Sequence, residues 1–291
     1  MQIRARHIIF FILFAISSIK AIAQSIDSSV ILKNKSGKTN LSKYLDTKKW
    51  QALFPNRYNL SNSKQDFYSF KSFITAAKKF PEFLNTGDAS TQKRELAAFL
   101  ANIAQETSGG WTEAPGGYYV WGLYYLEEQG CENGCSNYSD TNNKIYPAVK
   151  GRSYHGRGPK QLTWNYNYGQ FSLAYFGNKD TLLNDPGVLS KDPVLAFASA
   201  IWFWMTIQPP KPSCHDIMTG KWVPTANDTL NGRMPGFGAT VNVINGGIEC
   251  GKQANEKTQY RYEYYKYFCN YLHVAPGDNI ECATQKPFNI R

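Results

Sequence analysis

The sequence predicts an α+β fold that is mainly α-helical, one compact domain of two lobes with a small strand region. Three observations predict it. Several segments place apolar residues at helical spacing, and some of them follow recognisable helix starts. Residues 111 to 170 are instead rich in glycine, asparagine and aromatic residues in turn-prone runs, better suited to loops and short strands. The 291 residues suffice for one large domain or two modest ones, and no internal repeat divides them.

Residues 1–23 read as a cleaved export signal. Arg4 and Arg6 form a basic start, "IIFFILFAI" is a short apolar run, and "AIA" ending at Ala23 is a small-residue cleavage signature. The bland alternative is an uncleaved anchor, but the run is short for a bilayer and no later stretch approaches the required length. No stable membrane insertion is expected. Residues 24–43, rich in Ser, Lys and Asn without periodicity, read as a tether, and residues 44–291 as the functional domain.

The helices follow in order. "FYSFKSFITAAKKF" (Phe67 to Phe80) has apolar residues at helical spacing. The next helix starts near Ser90 or Thr91, either of which could cap it, and carries Leu96, Phe99, Leu100, Ile103 and Thr107 on one stripe. "KDPVLAFASAIWFWM" opens with Asp192 as N-cap and Pro193 at the first helical position. Apolar nearly all round, it should be central and buried, and "QPPKP" ends it. The last long helix is "NEKTQYRYEYYKYFCNYL", Asn255 to Leu272.

The formal charge is +10, and Arg4, Arg6 and Lys20 account for three of these, leaving +7 on the exported chain. No Lys/Arg run is dense enough to indicate nucleic acid, so no nucleic-acid partner is expected. All six cysteines lie at or after Cys131, an even number that favours disulfides in an oxidising compartment. "CENGC" has C-x3-C spacing and no histidine pair nearby, which favours a loop disulfide over zinc. No metal site is expected.

Three groups of residues could carry chemistry. Glu106 lies at the edge of the Phe99/Ile103 stripe, in the last turn of its helix, before Gly109 and Gly110. Partial burial and the negative end of the helix dipole both predict a raised pKa, as a general acid requires. A solvent-facing helix end is the plainer reading. Glu127 and Glu128 follow the aromatic run "YYVWGLYY", as a charged surface patch or as the source of a second carboxylate. In "HGRGPKQLTWNYNYG" (His155 to Gly169), Gln161, Thr163, Asn165 and Asn167 alternate with Leu162, Trp164, Tyr166 and Tyr168. Such a ribbon offers amides and a hydroxyl on one side and rings on the other, which suits a sugar. It also suits a hairpin facing water. The glycine spacing is wrong for a phosphate loop.

"RELAAFLANIAQETSGG", "WGLYYLEEQG", "GRGPKQLTWNYNYG", "AIWFWMTIQPPKPSCHD", "GRMPGFGATVNVINGGIECG" and "RYEYYKYFCNYL" resemble, in order and spacing, the family 19 glycoside hydrolases, the plant-type chitinases. The likeness runs from about Phe54 to the C-terminus. It implies a lysozyme-like, two-lobed domain with a central cleft. It further implies a monomer that hydrolyses β-1,4 bonds between N-acetylglucosamine units of chitin by inversion, without cofactor. By the same resemblance Glu106 is the general acid, Glu128 the base, with Glu127 its neighbouring rival, and Thr163 the water-holding hydroxyl. Gln161, Tyr166, Asn167 and Asn245 match substrate-contacting positions, and Trp164 offers a ring beside them. Glu249 and Arg261 match an ion-pair network reaching the acid. Cys250 and Cys282 match a family disulfide, Cys131 with Cys135 looks like a shortened loop bridge, and Cys214 and Cys269 are left over, paired or free.

The chain departs from the family at Gln105, where histidine is common, and Gln105 donates a hydrogen bond but does not titrate. Thr163 stands where the family carries serine. The expected product is a secreted (extracellular or periplasmic) endo-chitinase. The rival readings are a peptidoglycan hydrolase and a catalytically weak chitin-binding protein.

Overall fold

The computed structural model describes residues 31–58, 66–108, 111–131 and 133–288. The expected signal, the first part of the tether, and Gly109 and Gly110 lie outside the described residues. The rest of the tether has a 3-10 turn at Leu32–Asn34 and leads into α1, Leu41–Tyr44, whose Leu41 is fully buried. The helices that follow are α2 (Thr47–Leu53), α3 (Phe70–Ala77), α4 (Ala89–Thr107), α5 (Asn165–Phe176) and α6 (Asp180–Asn184). They are completed by α7 (Pro193–Met205), α8 (Cys214–Thr219), α9 (Ala226–Leu230), α10 (Phe237–Glu249) and α11 (Glu256–Tyr271).

Local chemistry sets most of these boundaries. Asp192 accepts from the amides of Val194 and Leu195, and Pro193 follows at the first helical position, as the sequence predicts. Asn255 caps α11 by accepting from Thr258 N. The cap of α4 is neither Ser90 nor Thr91 but Asp88, whose carboxylate accepts from Thr91 N at 2.8 Å. A carboxylate at this position satisfies an orphan amide and also meets the positive end of the helix dipole. The segment expected to be helical over residues 67–80 is helical only over Phe70–Ala77, because Ser69 caps it by accepting from Ser72 N.

The core is aromatic. Trp50, Phe73, Phe99, Phe197 and Trp204 are buried, with Phe73 stacked on Phe99 at 5.7 Å and Trp204 edge-on to Phe99 at 5.6 Å. Helix α4 runs through this core, packing most extensively against α11, while α3 packs on α7. No helix among the described residues is long and apolar enough to cross a membrane.

The small strand region takes the form of isolated antiparallel bridges, Glu127 with Arg157 and Arg157 with Leu162. Gly158, Pro159, Lys160 and Gln161 make the turn between them, closed by Gln161 N donating to Gly158 O at 3.0 Å, with proline at the position that favours it. Gly158 has φ 73° there. The alternating ribbon expected over residues 155–169 therefore stops early. Gln161 and Trp164 both have positive φ, 50° and 74°, which turns the chain into α5 at Asn165. Asn165 is consequently fully buried, donating to the carbonyls of Asp140 and Tyr146 rather than facing a ligand.

Two disulfides tie the loops. Cys131–Cys135 closes a short loop just after Glu128, and Cys250–Cys282 joins the end of α10 to the C-terminal segment across 32 residues of chain. Cys214 and Cys269 are free and buried, and burial pushes each thiol up to about 12. Replacing Cys250 and Cys282 by alanine is expected to lower stability by about 2–4 kcal/mol, from the lost constraint on the unfolded chain. Thermal melting of the double variant checks this.

Candidate active site

Glu106 sits in the last turn of α4, as the sequence predicts, with its side chain 16% exposed. Its Oε1 accepts from Arg261 Nη2 at 2.7 Å, and its Oε2 lies 3.6 Å from Lys160 Nζ. Arg261, buried on α11, also donates through Nε and Nη2 to both oxygens of Glu249, at 3.0 and 2.6 Å, and through Nη1 to Asn102 at 2.9 Å. Asn245 Nδ2 completes the network by donating to Glu249 Oε1 at 2.9 Å. Asn245 breaks the helical geometry of α10, with φ −143°.

This network reverses one expectation. Burial does raise the pKa of Glu106, but the ammonium of Lys160 and the guanidinium of Arg261 together outweigh it and hold the carboxyl below the ordinary carboxylate value. Burial and the helix dipole alone predict a raised value; Lys160, from a loop far along the chain, supplies the opposing charge.

The bridges place the second carboxylate. Glu128 N donates to Gly156 O at 2.9 Å, and Gly158 N donates to Leu126 O at 2.9 Å, so residues 126–128 lie against residues 156–158. Successive side chains on an extended segment point to opposite faces. Glu127 bonds His155 Nε2 at 2.9 Å and Arg157 Nε at 3.1 Å, and these partners hold its carboxyl low. Glu128 turns the other way: Oε2 accepts from Gly156 N at 3.2 Å, and Oε1 from Tyr138 OH at 2.6 Å. That hydrogen bond, with burial adding to it, pushes the Tyr138 phenol up to about 12, so it stays a donor. The Tyr138 ring lies edge-on to Trp164 at 5.7 Å.

A groove of about 460 Å³ is lined by Lys160, Gln161, Thr163, Trp164, Tyr166, Asn167, Asn245, Phe203, Gln208 and Lys211; Lys160 links it to Glu106, and Trp164, through Tyr138, links it to Glu128. Every substrate-contacting residue expected from the sequence is in this wall. Trp164 and Tyr166 are stacked at 5.9 Å. Asn167 Nδ2 donates to Thr163 O, while its Oδ1 is buried without a hydrogen-bond partner among the described residues, as is Gln105 Oε1. Among the described residues, Thr163 Oγ1 makes only a long bond, 3.4 Å, to Gln161 O.

Lys160 and Tyr138 are not evident from the sequence patterns, nor is a cluster of rings formed by Trp111, Trp121 and Tyr124. Leu123 N donates to Thr107 Oγ1, and Gly122 lies so close to α4 that an added Cβ would sit 2.8 Å from Ala104 Cβ. This close approach carries Trp121 to Trp111, with ring centroids 4.9 Å apart, and to Tyr124 at 5.1 Å. Trp111 is exposed. The tryptophan-glycine pair inside an aromatic run was the available signal.

A profile described as chitinase class I, from the family 19 glycoside hydrolases, matches residues 45–282. The chain belongs to that family. It is 43% identical over 253 residues to endochitinase A2 of Pisum sativum, covering 87% of this chain and 76% of the relative. It is 44% identical over 248 residues to an endochitinase of Carica papaya, covering 85% and 99%. The fold is similar to the crystal structure of chitinase C from Streptomyces griseus HUT6037, with a TM-score of 0.64 and 30% identity, over 82% of this chain and 97% of that one. It is also similar to a class IV chitinase from Zea mays, with a TM-score of 0.58 and 32% identity, over 80% and 96%.

Proposed function

We propose that the chain is an exported endo-chitinase that hydrolyses β-1,4 bonds between N-acetylglucosamine units by a single displacement with inversion. The observation that carries this reading is that two differently held carboxylates each contact a residue tied to one polar, aromatic groove: Glu106 through Lys160, and Glu128 through Tyr138, whose ring meets Trp164. Glu106 is fixed by two cations at a helix end, and Glu128 is fixed by a backbone amide and a phenol. In this reading Glu106 protonates the leaving oxygen. Glu128 takes a proton from a water oriented by Thr163, which attacks the anomeric carbon from the opposite face. A sugar docked over Glu106 excludes water and raises its proton affinity from the low resting value.

The amides of Gln161, Asn167 and Asn245 suit hydroxyl and acetamido groups, and the unpartnered Asn167 Oδ1 suits a sugar N–H or O–H donor. The rings of Trp164 and Tyr166 in the groove suit the apolar faces of sugar units. Two disulfides agree with an oxidising destination.

Timed product analysis on a chitin hexamer tests the reading. Internal cleavage to shorter oligomers is expected before any monomer accumulates, with little turnover of purified murein, and Glu128→Gln should lose about 10²–10⁴-fold in kcat. Turnover of murein without turnover of the hexamer would contradict it.

A further inference from the structure

Four buried or nearly buried ionisable groups meet at the end of α4: Glu106 and Glu249, Arg261 and Lys160. Two carboxylates face two cations, so the cluster is neutral when Glu106 is ionised. The carboxylates are not equivalent. Glu249 takes two bonds from Arg261 and one from Asn245, whereas Glu106 takes one from Arg261 and otherwise faces only Lys160. Among the described residues, Lys160 makes no ion pair except with Glu106.

Lys160 is built to remain there. It occupies the third position of the Gly158–Gln161 turn, is 8% exposed, and holds its ammonium 4.9 Å over the Phe203 ring. The other groups facing it are Arg261, Lys211 and the Cys214 thiol. The ammonium of Lys211 donates to Val243 O, and the Cys214 thiol is kept neutral by burial, so neither substitutes for Lys160 at Glu106.

We propose that Lys160 is a positioning residue for the acid: its ammonium aims Glu106 Oε2 into the cleft and sets the alkaline limb of the pH–rate profile. The inference rests on Glu106 being the acid. Without Lys160, two carboxylates share one guanidinium, and a proton on the less bonded one, Glu106, restores neutrality. With Lys160, the carboxylate left after proton transfer is stabilised, so Glu106 is a stronger acid but is protonated only at lower pH. Burial lowers the pKa of Lys160 and Glu106 opposes this, as expected for a pair that shares one site.

The test is the pH profile of kcat/KM on a chitin oligomer for wild type, Lys160→Met, Lys160→Gln, Lys160→Arg and Glu106→Gln, each first checked by thermal melting. The alkaline limb should move up by about one pH unit or more, a tenfold change in proton affinity, in the Met and Gln variants. It should stay near wild type in the Arg variant, and the acid limb should not move. Should either neutral variant fail to fold, the other, with the Glu106 carboxyl followed by ¹³C NMR titration, carries the same readout. An unmoved alkaline limb in a folded neutral variant overturns the inference. Wild-type turnover by Glu106→Gln would instead remove the assignment of the acid on which it rests.

Discussion

Replacing Glu106 by glutamine should lower kcat on chitin oligomers by about 10²–10⁴-fold and leave oligomer binding nearly unchanged. Glutamine keeps the shape and an oxygen that can accept from Arg261 Nη2, now 2.7 Å from Glu106 Oε1, so the network at the end of α4 is only partly disturbed. What is lost is the transferable proton. The groove residues that would hold the sugar, Gln161, Trp164, Tyr166 and Asn167, are on a separate segment and keep their places. Initial rates and calorimetric binding of the same oligomer separate the two quantities. Unchanged kcat would show that another group donates the proton.

The largest stability effect should come from Arg261. Its side chain is 3% exposed and bonds Glu106, Glu249 and Asn102 together. Arg261→Met leaves Glu106 facing Lys160 alone and Glu249 with only the Asn245 amide, and the expected cost is about 3–5 kcal/mol. The pH dependence follows from the sign of the shift. Glu106 has a folded-state pKa below its ordinary value near 4.5, so its stabilising contribution is complete above that value and is lost as pH falls through the folded-state value. Acid should therefore narrow the difference between wild type and Arg261→Met. Melting curves at neutral and acid pH check both points. A difference below about 1 kcal/mol at neutral pH would mean that the network is not structurally important.

Much of the helical frame was readable because its signals are local. Asp192 with Pro193 caps its helix where the sequence places the cap, and the helix expected from Asn255 begins there, with Asn255 as its cap. Glu106 is also where the α4 pattern puts it. The errors have non-local or backbone causes. The cap of α4 fell on Asp88 because three consecutive or near-consecutive capping residues compete there, and side-chain type does not decide among them. The ribbon after His155 was overextended because polar-apolar alternation from Gln161 to Tyr168 hides positive φ at Gln161 and Trp164, which starts α5. The proton affinity of Glu106 went in the opposite direction because its neighbour Lys160 arrives through tertiary packing. The resemblance prefers Glu128 to Glu127, but composition and spacing do not distinguish them; their different partners come from residues 155–157 packing against them.

The central claim, that Glu106 and Glu128 work from opposite faces of one sugar in a single displacement, is tested most directly by proton NMR of products within the first minutes of hexamer cleavage. The account predicts that the newly formed reducing ends appear first as the α-anomer and equilibrate afterwards. Initial accumulation of the β-anomer would contradict it.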